Sequence, residues 1–122
     1  MISRRPGPPV DYTLCDQTVT VYHRRADKSI VRTVHSRAFL DFRKNRNVEK
    51  TGSREANGFL LVLPCREICV SAGDKVLLGQ GPPVEAAEWA AFIPPKVPGL
   101  VVVGWVDPKY WRGRLCHIEA GG

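Results

Sequence analysis

Ile30-Val31-Arg32-Thr33-Val34-His35-Ser36-Arg37-Ala38-Phe39-Leu40-Asp41-Phe42 is the stretch that decides the fold. It is rich in β-branched and aromatic residues, and its apolar positions tend to recur every second residue. Such a run reads as a strand. Val34, Ser36, Ala38, Leu40 and Phe42 share one face, and Thr33, His35, Arg37, Phe39 and Asp41 share the other. The first face is the better core candidate.

Just before it, Thr18-Val19-Thr20-Val21-Tyr22 alternates in the same way. The polar cluster Arg24-Arg25-Ala26-Asp27-Lys28-Ser29 separates the two runs, so the pair reads as a hairpin. Further on, Phe59-Leu60-Leu61-Val62-Leu63 is continuously apolar and closed by Pro64, which fits a buried strand. Val76-Leu77-Leu78 is a short strand after the turn Ser71–Lys75. Leu100 to Val106 is the strongest strand signal, broken by Asp107-Pro108. The Trp111-Arg112-Gly113 turn then leads to a last strand, Leu115 to Glu119. Val84 to Phe92 is the one helical pattern; prolines flank it, Glu85 and Glu88 occupy its early turns, and Ala86, Trp89, Ala90 and Ile93 line one side. About six strands with Pro and Gly turns and one short helix predict a mainly β fold, a small barrel or sandwich.

A chain of 122 residues has room for one core. Residues 1–16 read as an extended, Pro-rich arm, and 17–122 as a single domain. Residues 43–57 are polar and basic without sustained alternation, which predicts a long loop. No run approaches the ~20 apolar residues of a membrane-spanning helix. The basic N-terminus has no apolar segment behind it, so a secretory signal is not expected. The four cysteines are then expected to be free thiols in a reducing cytoplasm.

The net charge of +6 is concentrated. Between Arg24 and Arg54, ten basic residues meet three acids, a local +7, while the rest of the chain nets −1. Such a stretch attracts phosphate or an acidic protein surface, or else serves as a solvated face.

Catalytic and metal signals are weak. Cys65 and Cys69 form a C-x3-C pair, and Cys116 adjoins His117. Zinc needs four ligands in a tetrahedron, and no C-x2-C pair is present. On a strand, adjacent Cys116 and His117 would also point to opposite faces. There is no G-x-S-x-G elbow, no phosphate-binding glycine loop and no close carboxylate pair. We therefore expect no enzyme, no cofactor and no metal. Tyr22, Phe39, Phe42 and Phe59 loosely suggest a stacking surface for single strands but read better as core. Trp105 reads as core and Trp111, beside Arg112, as an interface residue. The candidate contact residues are Arg43, Lys44, Arg46, Lys50, Arg54, Trp111 and Arg112.

The order of elements resembles the small minor capsid or head–tail connector proteins of tailed phages and prophages. The likeness rests on the Pro-rich start, the Thr18–Tyr22 strand with its basic hairpin, and the Gly73-Asp74 turn before a strand ending at Gly79. It continues through Val101-Val102-Val103-Gly104-Trp105-Val106, the Arg112-Gly113 turn and Leu115-Cys116-His117-Ile118-Glu119. Asp107–Tyr110 and the cysteines depart from that pattern. The resemblance implies a stopper-like virion part, made in the host cytoplasm and placed in the neck. It would form a homo-oligomeric ring that joins portal or adaptor to tail and helps retain packaged double-stranded DNA, with no membrane partner. The alternative from the residues themselves is a nucleic-acid-binding β-barrel using the basic 24–54 stretch. A zinc-stabilised interaction module is a third reading.

Overall fold

The computed structural model describes residues 12–47 and 54–122, with side chains placed for 12–42 and 58–122. Seven strands follow in chain order: β1 (Gln17–Arg24), β2 (Ile30–Asn47), β3 (Arg54–Pro64), β4 (Lys75–Leu78), β5 (Leu100–Val102), β6 (Trp105–Trp111) and β7 (Arg114–Gly121). All pairings are antiparallel, in the order β5-β4-β1-β2-β3-β7-β6. The sheet does not close on itself, so of barrel and sandwich the fold is sandwich-like.

The 18-residue β2 makes the layers possible. Its first part, Ile30 to Ala38, pairs with β1; its second part, from Phe39, pairs with β3. At the join, Val19 faces His35 but Gln17 faces Ala38, so β2 carries an extra residue against β1. A bulge of this kind bends a strand and reverses its alternation. That reversal corrects the expected core face. Ala38 and Leu40 are buried as read, but Val34, before the bulge, is 37% exposed. Phe42, expected in the core, is 48% exposed, because it lies at the margin of the layered region.

The inner faces of the two layers meet in one core. Val19 and Val21 of β1, Leu61 and Leu63 of β3, Val76 of β4, Val101 and Val103, and Ile118 and Ala120 of β7 all join it. The outer face of β1, β4 and β5 carries a second cluster of Tyr22, Leu77, Leu100 and Phe92. Residues 79–99 cover that face. The expected helix is there a 3₁₀ turn, Ala86–Ala91, with none of its six residues buried. Side-chain hydrogen bonds from β1 and β2 help hold the cover down. Thr20 Oγ1 donates to the Gly79 carbonyl at 2.8 Å and accepts from the Gly81 N–H at 2.8 Å. The Tyr22 hydroxyl donates to the Pro82 carbonyl at 2.7 Å, and Arg32 Nε to that of Gly81 at 2.8 Å.

Three further readings change. The single strand expected over Leu100–Val106 is two, since the chain leaves one layer after Val102 and enters the other at Trp105. Pro108 does not break β6: the strand is at the sheet's edge, where a missing N–H is tolerated. Trp105, expected in the core, is 47% exposed and lies over Gly121, its cross-strand partner. Of the expected arm, residues 1–11 lie outside the described residues; Tyr12 to Cys15 form a turn closed by the Cys15 N–H to the Tyr12 carbonyl at 3.0 Å.

Candidate functional site

The basic 43–57 stretch is not the long loop expected. β2 continues to Asn47 and β3 begins at Arg54, paired in register from Arg43–Gly58 to Asn47–Arg54. The segment's sequence lacks the apolar alternation that marks a half-buried strand. β1 accompanies β2 only as far as Ala38, and β7 accompanies β3 only from Leu60. Beyond Phe42 and Phe59 the two strands therefore pair, among the described residues, only with each other. They form a two-stranded ribbon running past the sandwich.

By sequence the 43–57 segment carries Arg43, Lys44, Arg46, Lys50 and Arg54 against Glu49 and Glu55, a net +3. Arg43, Lys44 and Arg46 are on one strand of the ribbon and Arg54 on the other. Lys50 lies outside the described residues.

Trp111 and Arg112 are at the other end of the same layer. β7 pairs with β3 up to His117–Pro64, and the β6–β7 hairpin overhangs that last pair. From Gly58 to Pro64 a strand covers about 20 Å at 3.4 Å per residue. The six candidate contact residues within the described strands and hairpin thus divide into two groups at opposite ends, and the fold does not bring them together. At the hairpin tip the Arg112 guanidinium stacks 4.4 Å from the Trp111 ring centre.

Under the overhang lies an open groove of about 940 Å³. Arg37, Arg66 and Arg114 line it with Tyr110, Trp111 and Cys65; among the described residues Glu67 is the one acidic side chain in its wall. Tyr110 is 61% exposed. Tyr12 closes one side, its hydroxyl 2.7 Å from His117 Nδ1 and its ring edge-on to the imidazole. Burial, with nearby Cys116, Cys15 and Cys65 and Glu119 adding to it, raises the Tyr12 hydroxyl above the ordinary phenol range. It stays protonated, so it can donate to His117. His117 in turn reaches Glu119 Oε2 at 3.0 Å through Nε2.

The groove gathers arginines from β2, the segment after β3, and β7. Arg37 belongs to the basic 24–54 stretch, but Arg66 and Arg114 lie far from it in sequence, so no single local run announces the three together. The linear signals were the C-x3-C pair, whose first cysteine is in the wall, together with Trp111 and Cys116, which line it as well. Among the described residues no three His, Cys, Asp or Glu side chains gather as a metal site, and no helix is long and apolar enough to cross a membrane. No protein-family model, no curated protein and no solved structure matches the chain.

Chemically the two ends differ. By sequence the ribbon puts Arg43, Lys44, Arg46 and Arg54 on a two-stranded scaffold, a composition suited to phosphate or to an acidic surface. The groove offers arginine forks beside aromatic faces, a pairing that recurs at interfaces.

Proposed function

We propose that this protein is an assembly subunit of a phage or prophage head–tail connector, acting by contact and without catalysis. The observation that carries the reading is the basic β2–β3 ribbon extending beyond the layered body. A two-stranded ribbon without a third strand is marginal in water by itself. It gains a role when a neighbour covers it. A ribbon at one end and an arginine–aromatic groove at the other suit head-to-tail contacts, which close into rings when the rotation allows. The connector itself is inferred from the resemblance in element order.

The test is assembly. Full-length protein is followed by sedimentation velocity and negative-stain microscopy across a concentration series. We expect discrete rings, alone or on addition of portal or adaptor protein from the same genome. Replacing Arg43, Lys44 and Arg46 together by Gln should suppress rings without changing the unfolding midpoint. A protein that stays monomeric under all these conditions would sink the reading.

A second reading has its own support. A basic two-stranded ribbon has the cross-section that the major groove of DNA admits. If the protein is instead a nucleic-acid-binding module, the monomer binds short duplexes with a steep salt slope. The triple Gln variant then loses about three units of that slope.

A further inference from the structure

The proposed function makes no use of the Cys65–Cys69 pair, of which Cys65 lines the groove. Cys65 follows directly on Pro64, the last residue of β3, and Cys69 precedes Val70, which is fully buried. Both cysteines pack against the core, so the segment between them is anchored at each end. Cys69 Sγ donates to Cys65 Sγ across 2.9 Å. A disulfide requires about 2.05 Å, so closure needs the sulfurs to approach by about 0.9 Å. Cys65 faces the groove, among Arg37, Arg66 and Arg114.

We propose that Cys65 and Cys69 form a redox-active dithiol that exchanges with a small anionic disulfide of the glutathione disulfide type, bound through the arginines of the groove. The Cys65 thiolate attacks one sulfur of the incoming disulfide. A mixed disulfide forms on Cys65, the external S–S bond breaks, and one thiolate leaves. Cys69 then loses its proton to the departing thiolate and attacks Cys65 sulfur. The protein disulfide forms and the second thiolate is released, taking its proton from water. One external disulfide is reduced to two thiols and the protein dithiol is oxidised.

The order of attack follows from the geometry. Cys65 is the sulfur open to the groove, and it accepts the hydrogen bond, so its thiolate is the one stabilised. That hydrogen bond from Cys69 draws Cys65 below the ordinary thiol range. Cys69, as the donor and partly buried, is raised and stays protonated until the mixed disulfide removes its acceptor. Cys116 lines the same groove without a neighbouring thiol at such a distance among the described residues, which makes it an internal control.

The test uses reduced, full-length protein in glutathione redox buffers, quenched with N-ethylmaleimide and mapped by peptide mass spectrometry. We expect a Cys65–Cys69 disulfide. With a limiting amount of iodoacetamide, wild-type Cys65 should be modified about tenfold faster than Cys116. In Cys69→Ser the mixed disulfide should accumulate on Cys65. Added salt should slow glutathione disulfide but leave the neutral 2-hydroxyethyl disulfide unaffected. Absence of the 65–69 disulfide, or equal reactivity of Cys65 and Cys116, overturns the proposal. A salt response shared by both reagents overturns the anionic ligand class. The wild-type measurements stand even if Cys69→Ser fails to fold.

Discussion

Lys75 and Trp89 are joined twice: Lys75 Nζ donates to the Trp89 carbonyl at 2.6 Å and stands 4.2 Å from the centre of the Trp89 ring. The same ammonium donates to the Phe92 carbonyl at 2.7 Å. Lys75 is buried, on a strand, and its side chain ties the 3₁₀ turn to the outer face of the sheet. Burial, helped by the nearby Arg24 charge, lowers its pKa below the ordinary lysine value. The two carbonyls compensate for the lost hydration.

Lys75→Met keeps the stem and removes the charge. It leaves two carbonyls without their donor, at a cost of about 2–4 kcal/mol. Urea unfolding monitored by Trp fluorescence should show the midpoint falling by that equivalent. A loss under about 0.5 kcal/mol would mean that water replaces the ammonium and that the turn is held by its apolar contacts alone.

His35 predicts a pH dependence. It pairs with Val19 on the inner face, next to the bulge, and its buried Nε2 has no hydrogen-bond partner among the described residues. Burial lowers its pKa below the usual 6.5. The folded state therefore holds His35 neutral at a pH where the unfolded chain already binds a proton. Stability is full above about pH 6.5 and declines as pH falls from there toward the lowered folded value. His35→Leu should flatten this part of the pH profile in denaturant titrations between pH 7 and 5. If the wild-type slope survives the substitution, another group is its source.

Gly81 is a steric prediction. A Cβ there would collide with the Tyr22 hydroxyl and stand 2.6 Å from Leu77 Cδ2. Both belong to the cluster beneath the cover, so neither can swing into solvent. Gly81→Ala should lower stability by about 1–3 kcal/mol, the range for overpacking. Gly73→Ala is an informative comparison: open space surrounds a Cβ there, but a φ of +93° imposes backbone strain. Combining Gly81→Ala with Tyr22→Phe should recover part of the loss if the hydroxyl is the obstacle.

Strand existence was largely legible, because β1, β3, β4 and β7 each bury a face and so carry an apolar pattern. The bulge in β2 was not. Its effect is a change of parity, and both possible faces of residues 30–42 hold apolar side chains. The ribbon was hidden for the opposite reason: its residues are polar and basic, so its pairing leaves no hydrophobic period to read. Trp105 misled because its size suggests burial, while its partner Gly121 lets it cover backbone at the surface. The groove depends on distant arginines meeting, which only the register of β3, β7 and β2 determines.

Arg112 joins backbone strain to the proposed contact surface. It and Gly113 are the two loop residues of the β6–β7 hairpin, with φ of 53° and 77°. Two consecutive positive φ values match the type I′ turn, which favours Asn-Gly. Arginine in that first position costs about 1 kcal/mol. Its stacking on Trp111 returns about 0.5–1 kcal/mol at an exposed site. Folding alone therefore gains little from Arg112. Arg112→Asn should leave stability unchanged or raise it by up to about 0.5 kcal/mol, measured by urea unfolding. Under the connector reading the same variant should weaken assembly, measured by sedimentation velocity. A stability loss above about 1 kcal/mol would instead assign Arg112 to the fold, and the strained turn would need no partner to account for it.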